Sequence, residues 1–359
     1  MSAIIQREFN KSLLENDLLY TFPKIELHRH LEGTFDIDTL YELSIKNDLD
    51  TPRDKALFKE YCQFPKDHES DFLLFLAKFH NNWYRSLDDV YKVVYNSVIK
   101  IVNEGVHYIE LRFSPEHFSL ENDFNRLDIT RLVIEAADAA AKASGLKIKY
   151  ILTFNRGKQT AHEMLELYKK MLDLNIDSIV GVDLAGDETN FPPELFCDFF
   201  DAVNEIGMHK IDIHAGEVTD SKQIWTAIDK LHAHRIGHGV STIYDEKLQK
   251  ELIDRRIYLC QCVISNFQTA SWSDTATHPI ARLFRKNVPV SISSDDPTIQ
   301  NASLVDDYTT IIKNFDFTYQ ELVKINYNTI EASFLTFDQK NKMKEDYSKA
   351  LDLFVSKNS

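Results

Sequence analysis

Eight short runs of strand-like sequence recur along this chain, each parted from the next by a stretch long enough to hold a helix. They lie at residues 24–28, 107–114, 148–154, 178–186, 209–216, 233–239, 257–265 and 288–296. Several are almost continuously apolar, the pattern of parallel strands covered on both faces. Parallel neighbours cannot be joined by a tight hairpin. Each pair needs a crossover, so the alternation selects an α/β architecture. Eight such units favour a closed (β/α)8 TIM barrel over an open doubly wound sheet, and no run leads into a G-x-G-x-x-G turn. Helical periodicity fills the connections at 87–105 and 128–145, the second stopping at Gly145. Extra helices are expected after the eighth run.

One crossover is much longer than the rest. Residues 34–86 intervene after the first run and carry "DFLLFLAKFHNNWY" (71–84), which is apolar on more than one face. An insertion there emerges at the C-terminal face of a barrel, where barrel enzymes keep their sites. The expectation is a helical lid, with extra core packing as the competing reading. No Pro/Gly-rich linker or short repeat divides the chain, so residues 1–359 are expected to form a single domain carrying that insertion.

Charge and cysteine usage narrow the function classes. A net charge of -15 with no dense basic run argues against a nucleic-acid partner. No uninterrupted apolar segment is long enough to span a bilayer, and charges interrupt the first twenty residues where a signal-peptide core would lie. Cys62, Cys197, Cys260 and Cys262 form no paired C-x-x-C sets and read as core residues. A cytoplasmic protein with a small-molecule substrate is expected, and nothing signals a protein or membrane partner.

Polar residues cluster at the ends of the strand-like runs. His28 and His30 end the first, His214 and Glu217 the fifth, His238 the sixth, and Asp295 and Asp296 the eighth. In a barrel these ends meet at one mouth. Residues i and i+2 of a strand share a face, so His28 and His30 point together. With His214 and a carboxylate they make an N/O donor set that suits a catalytic zinc ion with an open position. Iron, nickel and cobalt also accept imidazole. A lone H-x-H is more often a packing feature than a ligand pair, but stability alone does not ask four strands to end in acids or histidines. His107, His117, His209, His232 and His234 have no partner at metal-ligand spacing. His278 begins a helix with Pro279, a position at the mouth also being open to it.

Taken together, "PKIELHRHLEGT", "ELRFSP", "DLAGDE", "HAGE", "RIGHG", "SNFQT" and "SSDDP" resemble, in order and spacing, the adenosine deaminase family. The resemblance runs from about Pro23 to the C-terminal helices, and "FLAKF" (75–79) resembles the family's gate helix. It implies a (β/α)8 barrel with one zinc ion per chain, held by His28, His30, His214 and Asp295. It implies that Glu217 protonates purine N1, and that His238 orients the nucleophile and helps take its proton. Asp295 would also accept a hydrogen bond from the nucleophile. Asp296 would bond N7 and the Gly186 amide N3. His30, Phe75, Leu76 and Phe79 would border the substrate, and Glu32 would meet the ribose 5'-hydroxyl. The implied reaction turns adenosine, and 2'-deoxyadenosine, into inosine-type products and ammonia, in purine salvage.

The acidic surface and the His/Asp ligands differ from the H-x-E and P-C-x-x-C deaminases that act on nucleic acid. Many adenosine deaminases carry Asp where this chain has Glu32, and "HLEG" also occurs in adenine deaminases. Adenine, or another 6-aminopurine derivative, is therefore the alternative substrate. No Arg or Lys cluster for a phosphate stands among the mouth motifs. A barrel kept only as a binding protein is the reading from another class.

Overall fold

The computed structural model describes residues 12–13, 17–65 and 68–358. Most of the N-terminal stretch read for a leader (1–11 and 14–16) therefore lies outside the described residues, as do 66–67 of the long insertion. Eight parallel strands follow one another in sheet order β1 to β8. They are Lys24–His30, Val106–Phe113, Lys147–Arg156, Ile179–Gly186, Lys210–Ala215, Arg235–His238, Tyr258–Gln261 and Val290–Ile292. The ring closes between β8 and β1 through a parallel bridge of Arg29 with Asp295. There the His30 amide donates to the Asp295 carbonyl at 2.9 Å and the Asp295 amide to the His28 carbonyl at 3.1 Å. This is the expected (β/α)8 barrel. No helix among the described residues is long and apolar enough to cross a membrane.

Two of the strand-like runs are more than twice as long in sequence as in the structure. The seventh stops at Gln261, because Val263–Gln268 is a helix. Its first turn is held by Asp307, whose Oδ1 accepts from the Ile264 amide at 3.1 Å. The eighth is only Val290–Ile292. Apolar, β-branched composition marks a buried segment without saying where it stops pairing. The helical segments fare better: Arg126–Ser144 ends at Gly145 with φ 78°, and Leu87–Ile101 runs through a short 3-10 turn to Gly105. A Cβ at Gly105 would lie 2.4 Å from the Phe22 carbonyl oxygen, so only glycine fits there.

Among the described residues, the long connection holds three α-helices: Ile37–Lys46, Lys55–Cys62 and a single turn at Phe72–Leu76. Within the stretch read as a helical lid, only that turn is helical. Its apolar residues face two partners that one straight helix could not serve. Phe75 packs with Phe64 and Ile299, while Trp83 and Tyr84 belong to the main core.

The barrel's interior is charged. Glu110, Arg112, Asp183, Asp212 and Arg235 are all fully buried. Arg235 reaches Glu110 at 2.7 Å and Asp212 at 2.9 Å, and Arg112 reaches Asp212 at 2.9 Å and Asp183 at 3.2 Å. Such a column is retained for fixed geometry more than for stability, since desolvating the charges offsets much of their attraction. Helices after β8 seal its lower end. The Phe334 amide donates to Glu110 Oε1 at 2.6 Å, and Asn326 Oδ1 accepts from the Ile25 amide at 2.7 Å.

Candidate active site

Four donors meet at the carboxyl end of the barrel. His28 and His30 leave one face of β1, His214 comes from β5, and Asp295 lies just beyond β8. One ligand atom from each lies within 4.8 Å of the others. His28 Nε2 is 3.1 Å and His30 Nε2 3.4 Å from Asp295 Oδ1, and the Nε2 atoms of His30 and His214 are 3.1 Å apart. Both ring nitrogens of His28, and Asp295 Oδ1, are buried without an aligned hydrogen-bond partner. Native interiors rarely leave polar atoms so. Three imidazoles and a carboxylate converging on one point fit a divalent cation, which would take one nitrogen of each ring and a carboxylate oxygen.

Protonation agrees with that fit. Burial keeps His28 well below its ordinary value and takes His30 down to about 3, so both rings are neutral. Burial pushes Asp295 up, but His238 and the contact with His28 outweigh it and hold the carboxyl well below its usual range. Neutral imidazoles and an ionised carboxylate are what a metal binds. His214 is aimed from behind: its Nδ1 lies 2.9 Å from Asp183 Oδ1, which leaves Nε2 facing the cluster. Arg112 links Asp183 to the charged column below.

Beside the donors stand the acid–base groups. His238 Nε2 is 3.6 Å from Glu217 Oε2 and 3.9 Å from Asp295 Oδ2. Burial, then the charges of Asp295 and Glu188, push the Glu217 carboxyl well above its ordinary value. That direction favours the protonated carboxyl, the form able to donate. Burial lowers His238 to about 4. Asp296 is raised by burial and by Asp295. Gly33 makes room for it, because a Cβ there would lie 1.8 Å from Asp296 Oδ1. His238 and Asp295 hold φ of 60° and 65°, a conformation costing about 1–3 kcal/mol in a non-glycine residue. Gln261 donates to the His238 carbonyl, and Ser265 Oγ to Asp295 Oδ2 at 2.6 Å. Glu188 fixes the turn carrying Glu217, accepting the amides of Gly216 at 3.0 Å and Val218 at 2.6 Å.

These groups open on a cavity of ≈ 260 Å³. Gly186, at φ 101°, borders it, and Phe72, Phe75, Leu76 and Phe79 form an apolar wall. Glu32 lies in the same cavity, with Oε1 accepting the Ser114 amide at 2.6 Å, and burial raises its carboxyl to about 7. Every site residue expected from the sequence thus borders the cavity or belongs to the donor cluster.

Others were missed. Lys158 and Arg156 line the cavity, so it does contain basic groups. Arg156 is already engaged, donating to the carbonyls of His214 and Phe191, whereas Lys158 is open to solvent. His117 also lines the cavity. Elsewhere His209 bonds Tyr168 and His232 bonds Asp201, away from the mouth. Asp183, Glu188 and Ser265 sit inside the quoted motifs, but nothing in their spacing announces which partner each would hold.

A sequence model described as adenosine deaminase matches residues 23–350. An adenosine deaminase of Escherichia coli O1:K1 / APEC is 30% identical over 332 residues, which cover 90% of this chain and 97% of that protein. Among solved structures, an adenine deaminase from Arthrobacter aurescens is similar with a TM-score of 0.83 at 23% identity, covering 92% of this chain and 99% of that one. An amidohydrolase from Burkholderia ambifaria with bound zinc has a TM-score of 0.85 at 20% identity, covering 95% and 93%.

Proposed function

This chain belongs to the adenosine deaminase family, and from that premise we propose that it hydrolyses adenosine and 2'-deoxyadenosine to inosine-type products and ammonia, with one zinc ion per chain. His28, His30, His214 and Asp295 are assigned as its ligands. When bound, zinc lowers the pKa of water toward roughly 7 and so supplies a nucleophile at neutral pH.

The chain's own groups carry the remaining steps. Protonated Glu217 donates to N1 as the oxygen adds at C6, which draws electrons from the bond under attack. The C6–N6 bond then breaks, one water proton ending on N1 and the other leaving with ammonia. His238 and Asp295 orient the attacking oxygen from opposite sides. Asp296 donates to N7 and the Gly186 amide to N3, fixing the ring in its plane. Glu32 receives the ribose 5'-hydroxyl. Phe75, Leu76 and Phe79 exclude water when the 34–86 lid of this single-domain barrel closes. We place the reaction in cytoplasmic purine salvage, with a small purine nucleoside as the only partner required.

The observation that carries this reading is the buried Glu217, 3.6 Å from His238 and with its carboxyl raised well above its ordinary value, in front of a three-histidine, one-aspartate cluster. A second reading, adenine deaminase, draws support from Glu32, one oxygen of which the Ser114 amide already occupies. Zinc-loaded protein should be assayed by ultraviolet absorbance on adenosine, deoxyadenosine, adenine and AMP. Adenosine is expected to give the highest kcat/KM. A large preference for adenine overturns the nucleoside reading.

A further inference from the structure

His278 and Asn266 have no place in the reaction as described, yet both are buried directly behind His238. Asn266 is fully buried, and His278 and His238 are each 1% exposed, so bulk solvent does not reach them. Three contacts join them in a line. The Ile280 amide donates to His278 Nδ1 at 3.3 Å. His278 Nε2 lies 3.1 Å from Asn266 Oδ1, and Asn266 Nδ2 lies 3.0 Å from His238 Nδ1.

The direction of this line is fixed at its far end. A backbone N–H can only donate, so His278 Nδ1 carries no proton and its Nε2 does. That Nε2–H must be accepted by an oxygen, which orients the Asn266 carboxamide with Oδ1 toward His278. Asn266 Nδ2 is left to donate to His238 Nδ1, which is therefore bare. The proton of the neutral His238 ring sits on Nε2, the atom facing Glu217 and Asp295. The backbone amide is the one member of the line whose direction is fixed, and it sets the others.

We propose that Asn266 and His278 are positioning residues that hold His238 as its Nε2–H tautomer, so that this ring donates a hydrogen bond to the attacking oxygen and does not remove its proton. The inference rests on the deamination reading above for its chemical meaning. It narrows the role that the family resemblance gave His238. A nitrogen already bearing hydrogen cannot take another without charging the ring. The proton lost by the nucleophile passes instead to Glu217 once that carboxyl has given its own to N1, which restores the acid.

The test uses full-length protein with 15N-labelled histidine. Wild type should give the NMR signature of an Nε2-protonated ring for His238. Asn266→Asp offers oxygens to both histidines and should move that proton to Nδ1. In zinc-loaded protein it should lower kcat by about 10²-fold, the order expected for losing one preorganised donor, with KM little changed. His278→Gln keeps a donor toward Asn266 Oδ1 and should stay within a few-fold of wild type, whereas His278→Leu should behave like Asn266→Asp. An Nδ1-protonated His238 in wild type overturns the proposal. So does wild-type kcat in folded Asn266→Asp, or equal losses in His278→Gln and His278→Leu. The tautomer is read without substrate, so a failure of the adenosine assignment would leave it standing. Finding the other tautomer in wild type would overturn this proposal and leave the adenosine assignment standing.

Discussion

The floor of the cavity and its rim are built to different standards. At the floor, four groups have dedicated supports: Asp183 behind His214, Glu188 under the turn of Glu217, Ser265 on Asp295 and Gln261 on the His238 carbonyl. At the rim, Glu32 has one backbone partner, Lys158 is open to solvent, and the apolar wall comes from one helical turn and Phe79 just after it. Supports of the first kind fix distances, which chemistry at C6 requires. A rim with fewer constraints is where substrate preference can change without disturbing that chemistry.

The contrast breaks first at Glu217. Glu217→Gln keeps the volume and removes the acid, and should cost about 10²–10⁴-fold in kcat, measured as ammonia release with zinc content confirmed by elemental analysis. Retained activity would remove the floor's central group from the mechanism. Asp183→Asn should come next. It loosens His214 without touching the cavity, and about 10–100-fold weaker metal binding is expected in a competitive chelator titration. Unchanged affinity would mean that the dedicated supports matter less than their geometry suggests.

Rim substitutions should act on KM and selectivity more than on kcat. Lys158→Ala should change the ratio of adenosine to AMP turnover several-fold while leaving kcat on adenosine close to wild type. A kcat loss as large as that of a floor residue would erase the distinction. The smallest effect is on stability. The Glu32 carboxyl is raised by burial from 4.5 to about 7, so the folded protein binds the proton more tightly than the unfolded chain. Stability contributed at this position therefore falls as pH rises from about 4.5 through about 7. Glu32→Gln should flatten that decline, read as the difference in Tm between pH 5 and pH 8 for the two proteins.

How much the sequence revealed follows the same division. The donors on β1, β5 and β8 were legible because strand alternation and the carboxyl ends of parallel strands are local properties. His28 and His30 needed only their i, i+2 spacing. The supports were not legible, because each is a pairing between strands or between a strand and a later helix. Asp183 reads as an interruption in an apolar run until β4 is placed beside β5. Glu110, Arg112, Asp212 and Arg235 hid for the same reason, since mid-strand charges do not reveal that they meet inside a barrel. The long insertion after β1 was half legible. Its aromatic residues marked burial, but periodicity could not divide them between the satellite cluster of Phe64, Phe75 and Ile299 and the main core holding Trp83 and Tyr84.

The closing bridge between Arg29 and Asp295 has a further consequence. The residue that completes the donor cluster is also the rivet at which the ring of strands is fastened. Its backbone cannot shift without slackening the seam, and the seam cannot slacken without spoiling the cluster. A substitution at Asp295 is therefore a change to the hoop as well as to the reagent, and lost turnover there measures both at once.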